Sequence, residues 1–356
     1  MSIDITNIIG QPESQTLAYK AVLPPSKIIA RIICSFANSD GGYIILGVTD
    51  DMDIVGLSSD FRPTAIVYKA INLISPKPQV EHQSTVHNGK NLYIIKIEKS
   101  EEIVLLEGKQ YKREGDVDKL ENPIEVEFKS QGYSEIGRIN NELESYKNGA
   151  TSAKIKLIEH YQSILKIIDD LDKILYPSDP NIPTTNQEGK ILTRILFSSF
   201  ADNFETYLSD LLYEIFLANP DTLKSQKEVT IKEVLDCSDM QEFVHYWANK
   251  QISKLQKGSV KGFIEDNKQI SKLEAIDGLE QKEIEKILQV RHLYSHRNGI
   301  VDEKFLQYFS GEFDLNSEYE IPISELLKKL LYISGIVNNI DAKAINKYRL
   351  AEISTS

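Results

Sequence analysis

The spacing of apolar residues changes near residue 150, and this change limits the folds that the chain can adopt. Up to about residue 130, short runs of β-branched and aromatic residues alternate with turn residues and helical stretches. From Thr151 onward, apolar residues recur at helical spacing with few strand signals. A chain of 356 residues is long enough for two domains. We therefore predict an α+β two-domain chain, with an α/β domain over 1–130, a linker over 131–150 and an all-α helical domain over 151–356.

Within the first domain, the pattern predicts five features. They are a helix over 27–36, a strand in YIILGV, a helix over 64–74, a hairpin in which Asn88-Gly89 joins QVEHQSTVH to NLYIIKIE, and a further hairpin spanning IVLL and QYKRE. Within the second domain, apolar periodicity predicts long helices. These cover 154–175, 190–217, 231–254, 281–296 and 323–340, and PSDPNIPTTNQEG forms the loop between the first two.

Composition sets limits on the class of protein. Hydrophobic residues make up 41% of the chain and charged residues 26%, and no apolar run approaches the roughly 20 residues of a membrane span. With only Cys34 and Cys237 and no export signal at the start, we expect a cytoplasmic protein without disulfides or membrane contact. The net charge of -12 disfavours broad, charge-driven binding to duplex nucleic acid, so any such contact must be local.

One cation lies where an apolar core is expected. On a helix over 281–296, Arg291 falls in the middle of the stripe formed by Ile284, Ile287 and Leu288. A guanidinium stays charged in proteins, so this position is costly unless an acid, a carbonyl or a bound anion meets it. One interpretation is a buried structural arginine paired with an acid such as Asp202 or Glu205.

A second interpretation is catalytic. Asn298-Gly299 is a helix-stop signal, so His296 lies in the last turn, where the helix dipole favours the imidazolium. A histidine for proton transfer and an arginine for developing phosphorane charge suffice for metal-free RNA cleavage by attack of the 2′-hydroxyl. Five residues correspond to about 140° around a helix, so Arg291 and His296 would meet across a cleft or between two copies of the chain.

The stretch RHLYSH resembles the R-x4-H motif of HEPN domains, and the following HRNGIVDEKF is similar to the close of that motif in HEPN domains fused to defence and toxin proteins. The resemblance implies an all-α helical bundle that dimerises to form one composite ribonuclease site. It implies that Arg291 and His296 are catalytic and that His292 orients or assists. The alternative is a HEPN-like fold retained for binding only.

His292 and His296 also have the i, i+4 spacing of zinc ligands. Leu293 follows His292, where an HExxH site has glutamate, and the sequence offers no third ligand nearby. We therefore predict no bound metal and no cofactor. The chain also lacks the G-x4-GK[ST] signature of a P-loop NTPase.

The N-terminal region resembles the Schlafen AlbA-type domain. The resemblance rests on Glu13 ahead of LAYK, on IICSFANSDGGYIILGVTDDMDIVGL and on QYKREG, over roughly residues 10–120. It implies a site of clustered carboxylates that binds a divalent metal and cuts structured RNA, with Glu13 as the first acid and Asp50 or Asp51 as the third. The second acid is replaced by Ala18, which removes much of the charge that holds a hard cation. We therefore interpret this domain as a module that binds nucleic acid or senses a signal.

Together these observations predict a metal-independent endoribonuclease of the HEPN type, acting as a toxin-like or antiviral effector on RNA. We expect a homodimer that is controlled by an inhibitor or activator protein. We assign nucleic-acid contacts to Lys20, Arg113, Arg297 and Asn298. The alternatives are a metal-dependent Schlafen-type ribonuclease and a non-catalytic regulator that binds nucleic acid.

Overall fold

The fold was analysed in a computed structural model, which describes residues 8–60, 62–121, 127–129, 132–223, 228–237, 239–257, 259–309 and 311–353. It is mixed α/β, with a sheet-containing N-terminal region followed by a helical region, as predicted. None of the described helices has the length and apolar character needed to cross a membrane.

The N-terminal region is built on short strands around a four-stranded sheet. The strands are β1 (Leu17–Lys20), β2 (Gly42–Leu46), β3 (Ile74–Ser75), β4 (Val80–His87), β5 (Lys90–Ile97), β6 (Leu105–Leu106), β7 (Tyr111–Glu114) and β8 (Val117–Leu120). The sheet has the order β1-β2-β5-β4, in which β1 runs parallel to β2 and the other neighbours are antiparallel. The hairpin of β4 and β5 is confirmed: Asn88 and Gly89 both have positive φ, as a tight two-residue turn requires.

Two helices accompany this sheet, α1 (Ser26–Ala37) and α2 (Pro63–Asn72), close to the predicted bounds. The turn from α1 into β2 depends on Gly42. A Cβ at this position would lie 2.4 Å from the carbonyl oxygen of Thr16, so only glycine allows β2 to approach this backbone.

Of the predicted hairpin between IVLL and QYKRE, the structure keeps one antiparallel bridge, between Leu106 and Lys109, and QYKRE itself pairs elsewhere. In the structure β6 pairs with β3, and β7 pairs with β8 through a turn at Gly115. Register places Arg113 opposite Asp118, and Nη1 of Arg113 donates to Oδ1 of Asp118 at 3.1 Å. The other guanidinium nitrogens donate to the carbonyl oxygens of Ser14 and Leu17, so this buried cation selects the pairing.

The rest of the chain is helical. Its helices are α3 (Ser134–Ser145), α4 (Ser152–Asp170), α5 (Asp172–Leu175), α6 (Gln187–Ala218), α7 (Ile231–Leu235), α8 (Met240–Gln251), α9 (Ser253–Gln256), α10 (Val260–Asp266), α11 (Lys268–Ser271), α12 (Gly278–Arg297), α13 (Glu303–Leu306) and α14 (Ile323–Tyr348), with a 3₁₀ turn at Pro220–Leu223. The predicted helices over 190–217, 281–296 and 323–340 are confirmed and are longer than predicted.

Three other predictions differ from the structure. The helix predicted over 154–175 is divided at Leu171 into α4 and α5. The single helix predicted over 231–254 is divided. Thr230 caps the start of α7, and a second helix, α8, begins where Asp239 accepts a hydrogen bond from Glu242 N. The segment 131–150, predicted as a linker, contains α3. That helix buries Ile136, Ile139 and Leu143.

Helix α6 is central to the helical region, since α4, α8, α12 and α14 all pack against it. Its buried face extends over most of its 32 residues. One continuous buried apolar cluster includes side chains of α1, such as Ile29 and Phe36, together with side chains of α4, α6 and α14. The N-terminal and helical regions therefore share a core.

A buried ionic cluster ties the start of α4 to α14. Oδ1 and Oδ2 of Asp341, which is 0% exposed, accept hydrogen bonds from the hydroxyl and the backbone N–H of Thr151. Nζ of Lys154 lies 3.7 Å from Asp341 Oδ2 and donates to Asn338 Oδ1 at 2.8 Å. Buried charges of this kind are tolerated only as a pair, so loss of one partner leaves the other uncompensated.

We predict that Asp341→Asn, which keeps the side-chain shape but leaves Lys154 unpaired, lowers the free energy of unfolding by about 3–5 kcal/mol. Adding Lys154→Met should restore part of this loss. Urea denaturation followed by circular dichroism measures both effects. The exposed pair of Lys328 and Glu325 is the control, and Lys328→Met should cost less than about 1 kcal/mol. Equal effects at the two sites would show that the buried cluster has no special role.

Candidate active site

Helix α12 has well-defined ends. At its start Asp277 and Glu280 form a capping box: the Asp277 carboxylate accepts from the Glu280 N–H, and the Glu280 carboxylate accepts from the Asp277 N–H, both at 2.8 Å. At its end Asn298 and Gly299 have φ of 52° and 84°, and Gly299 N donates to the carbonyl of Leu293. The predicted stop at Asn298-Gly299 is confirmed, and it places His296 in the last turn.

Arg291 faces the neighbouring helix α6 and is 9% exposed. Its Nη2 donates to Oε1 of Glu205 in a short contact. Its Nε lies 3.3 Å from Oδ1 of Asp202 but forms no hydrogen bond there. The two acids named from the sequence as structural partners are thus both in contact with this guanidinium.

The two carboxylates differ in their access to solvent. The Glu205 side chain is 7% exposed, whereas that of Asp202 is 57% exposed. Burial raises the pKa of both carboxyl groups, and the charge of Arg291 opposes both shifts. Glu205 is therefore the buried hydrogen-bond acceptor of Arg291, and Asp202 is the carboxylate near Arg291 that solvent can reach.

The two histidines lie together at the end of α12. The rings of His292 and His296 have centroids 4.7 Å apart and are tilted by 53°. Burial lowers the pKa of His292, and the charges of Lys304, His296 and Arg291 lower it further. His296 is exposed, and its charge acts on Asp202 together with that of Arg291. Arg291 and His296 therefore both lie near Asp202, and His292 lies beside His296.

A groove of about 650 Å³ lies beside this group, between α6 and the end of α12. Its wall combines hydroxyl, amide, aliphatic and charged side chains, namely His160, Ile191, Arg194, Ile195, Ser198, Ser199, Asp202, Asn203, Thr206, Tyr294, Ser295 and Asn298. Arg291 and His296 are not part of this wall. Asp202 lines the groove and also lies next to Arg291.

Arg194 is a groove residue that the sequence reasoning missed. It is 7% exposed, its Nη1 donates to Oδ1 of Asn298 at 2.8 Å, and its Nη2 contacts Glu318. The signal for it was present: Arg194 shares a helical stripe with Phe197 and Ala201, as Arg291 does with its own apolar neighbours.

The predicted nucleic-acid contacts have different surroundings. The Asn298 side chain accepts the hydrogen bond from Arg194, and Arg297 is half-exposed with its Nε 3.7 Å from Asp302. Arg113 is 4% exposed and uses its guanidinium within the N-terminal region. Its burial leaves the Arg113 charge without access to a polyanion. Lys20 is 15% exposed in its side chain and lies 4.0 Å from Asp50.

The residues of the alternative metal site do not fit a metal ion. Oε1 of Glu13 accepts a hydrogen bond from the Tyr19 N–H, and burial raises the pKa of Glu13 while the charge of Lys20 opposes this shift. The Lys20 ammonium lies near Asp50, where a metal would otherwise supply the positive charge, and Asp51 is exposed. In the described parts of the chain, no three carboxylate, histidine or cysteine side chains are placed to share a metal ion, at Glu13 or at the histidine pair.

We predict that His292 titrates below the ordinary histidine pKa of about 6.5 and is neutral at pH 7. Lys304→Met should raise the pKa of His292, because it removes the positive charge that lowers this pKa most after burial. The pKa should stay below the ordinary value, since burial is the larger cause. NMR titration of the histidine ring protons measures this. Lys282→Met, on the same helix but about 15 Å along it, is the control; a wild-type pKa of His292 above the ordinary value would contradict the burial argument.

Comparison with known proteins bears on the N-terminal region. Residues 13–122, about a third of the chain, match the family model described as Schlafen, AlbA_2. No curated protein matches the sequence. Among solved structures, the DIP2311 protein from Corynebacterium diphtheriae aligns at 14% identity over 37% of this chain and 30% of its own, with a TM-score of 0.25, a likeness too slight to carry an argument. The family match supports a Schlafen AlbA_2 domain at residues 13–122 and suggests a nucleic-acid-related function.

Proposed function

We propose that the chain is a metal-independent endoribonuclease of the HEPN type, with Arg291 and His296 as catalytic residues and His292 as their assistant. The observation that carries this proposal is that Arg291 and His296 both lie near Asp202, which lines an open groove, while the His292 ring lies beside that of His296. The Schlafen AlbA_2 region then binds RNA or senses a trigger. A ribonuclease with this make-up suits a toxin-like or antiviral effector, restrained by an inhibitor or released by an activator.

The geometry supports a division of roles. His296 is exposed in the last turn of α12, where a phosphate can reach it, and this suits it to donate a proton to the leaving 5′-oxygen. His292 has a lowered pKa and is the neutral partner, able to accept a proton. Attack of a 2′-hydroxyl on the neighbouring phosphate is assisted by one group that accepts the hydroxyl proton and one that donates a proton to the leaving oxygen, and two adjacent histidines can fill these roles without a metal.

Arg291 supplies the charge for the phosphorane in this scheme. Glu205 fixes its guanidinium from the buried side, so the cation is oriented before RNA arrives. Asp202 is the exposed partner of Arg291, and an incoming phosphate takes its place. Burial raises the pKa of Asp202, which eases this exchange by favouring its neutral form.

The same contacts fit a second interpretation, in which Arg291 is structural and the chain is a non-catalytic regulator. The observation that favours it is the burial of Arg291 against Glu205. His296 separates the two interpretations. It is exposed, so its replacement leaves the helix packing intact and removes only its chemistry.

We predict that His296→Ala lowers RNA cleavage by about 10²–10⁴-fold, with the thermal unfolding midpoint unchanged, because the variant loses proton transfer only. Cleavage of a labelled RNA by the full chain, with and without EDTA, measures this. His87→Ala, in the β4–β5 hairpin, is the matched control and should cleave as the wild type does.

Cleavage that EDTA abolishes and that Glu13→Ala removes would overturn this assignment in favour of metal-dependent chemistry. Cleavage that survives in His296→Ala would exclude this histidine as the proton donor. Arg291→Lys completes the set: it keeps the charge but loses the bidentate geometry, and its cleavage is expected to fall together with its stability.

We further propose that two copies of the chain pair along the groove. Arg291 and His296 are about 140° apart around one helix, and a second copy facing the groove would add a matching pair of these groups at the same phosphate. Ile191 and Ile195 lie one turn apart on α6 beside the groove and are 46% and 56% exposed. Adjacent exposed apolar side chains at the rim of a site favour burial against another protein surface.

We predict that Ile195→Asp shifts the chain from dimer to monomer and lowers RNA cleavage, because it places a charge in the apolar contact. Sedimentation velocity measures the oligomeric state at several concentrations. Leu279→Asp is the control, since Leu279 is 77% exposed at the other end of α12. A wild-type chain that sediments as a monomer at all concentrations and still cleaves RNA would contradict the composite site.

A further inference from the structure

A second cavity of about 430 Å³ lies where the N-terminal region meets the helical region. The start of α1 and Lys69 of α2 form one side of it. The start of α4, the middle of α6 and the start of α8 form the other. Its volume is in the range of small-molecule sites, which often occur between domains. None of the residues in the candidate active site lines it.

Two buried polar side chains in the wall of this cavity have unpartnered atoms. Glu214 is 4% exposed: its Oε1 accepts from the Ala153 N–H at 2.8 Å, and its Oε2 has no hydrogen-bond partner. Gln241 is 6% exposed: its Oε1 accepts from the Tyr213 hydroxyl at 3.5 Å, and its Nε2 has no partner. Buried polar atoms are almost always paired in folded proteins, so two orphans in one cavity wall point to a ligand that pairs with them.

The mouth of the cavity favours an anion. Helix α1 starts at the cavity with Pro25 as its N-cap, which makes no side-chain cap, and its first turn has no acidic residue. Ile28 N and Ile29 N donate to the Pro25 carbonyl, which leaves the backbone N–H groups of Ser26 and Lys27 and the helix dipole to meet a negative group. Lys69 lines the same side, and it has no carboxylate partner within the described chain. Lys27 also lines this side, with its ammonium 2.7 Å from Glu107 at the surface.

The remaining wall contains two aromatic rings and an ion pair. The rings of Tyr213 and His245 lie edge to face with centroids 5.2 Å apart. Asp210 is neutralised by Lys156 at 2.6 Å and faces His245 at 3.6 Å. Burial raises the pKa of Glu214 well above its usual range, which favours the protonated carboxyl over the carboxylate. The rim also includes the acid Glu242, which disfavours a long polyanion such as RNA.

We propose that this cavity binds a nucleoside monophosphate. Its phosphate lies at the start of α1 beside Lys69. Its base packs against Tyr213 and pairs its hydrogen-bonding edge with Glu214 and Gln241. Both regions of the chain contribute to this site, so a bound nucleotide holds them together. The proposal is independent of RNA cleavage and of the groove at α12.

The test is isothermal titration of the full-length chain with each of the four nucleoside 5′-monophosphates, with adenosine and with inorganic phosphate. At least one monophosphate should bind, and more tightly than adenosine or phosphate alone. Lys69→Glu should weaken that binding by at least about tenfold, because it places a negative charge beside the phosphate. Lys77→Glu, an exposed lysine of the same region outside the cavity, is the matched control and should bind as the wild type does.

Gln241→Met tests the base contact, since it keeps the side-chain length and removes the unpartnered N–H groups. It should lower the affinity for the monophosphate while raising the unliganded melting temperature. The proposal is overturned if none of the four monophosphates binds at millimolar concentration. It is also overturned if Lys69→Glu binds as tightly as Lys77→Glu, or if inorganic phosphate binds as tightly as the nucleotides.

Discussion

The contact of Arg291 with Glu205 and Asp202 is the constraint on which the candidate site depends. A permanent cation inside the apolar stripe of α12 has to be neutralised, and both acids come from one face of α6. This pairing fixes the rotation of α12 against α6. The end of α12 then carries His292 and His296 to the protein surface, and the groove follows the line where the two helices diverge.

The chain is acidic overall, and several of its buried cations are paired with acids. Arg113 pairs with Asp118, Lys154 with Asp341 and Arg194 with Glu318, so these three buried positive charges serve the fold. Positive charge that remains available to a nucleic acid or a nucleotide is local. Arg297 at the end of α12 and Lys69 beside the start of α1 are two such cations, and each lies near a cavity described above.

The features that could be predicted from sequence are those set by local periodicity. The long helices, the Asn-Gly hairpin and the acids facing Arg291 follow from helical or strand spacing alone. The pairing of QYKRE could not be predicted, because it depends on the contact of Arg113 with Asp118 and with strand β1. The break before α8 depends on capping by Asp239, which competed with a continuous apolar pattern. The groove and Arg194 required the packing of α6 on α12, which spacing along one helix does not contain.

The chemical ends of the RNA fragments made by the full chain distinguish attack by the 2′-hydroxyl from attack by water. Attack by the 2′-hydroxyl on the adjacent phosphate, with His296 as proton donor, expels the 5′-oxygen of the next nucleotide. If His296 and Arg291 catalyse this reaction, the fragments carry 2′,3′-cyclic phosphate and 5′-hydroxyl ends in the presence of EDTA. No cleavage then occurs at a 2′-deoxy position. Fragments with 5′-phosphate and 3′-hydroxyl ends would show that water or hydroxide attacked the phosphate, and would contradict this mechanism.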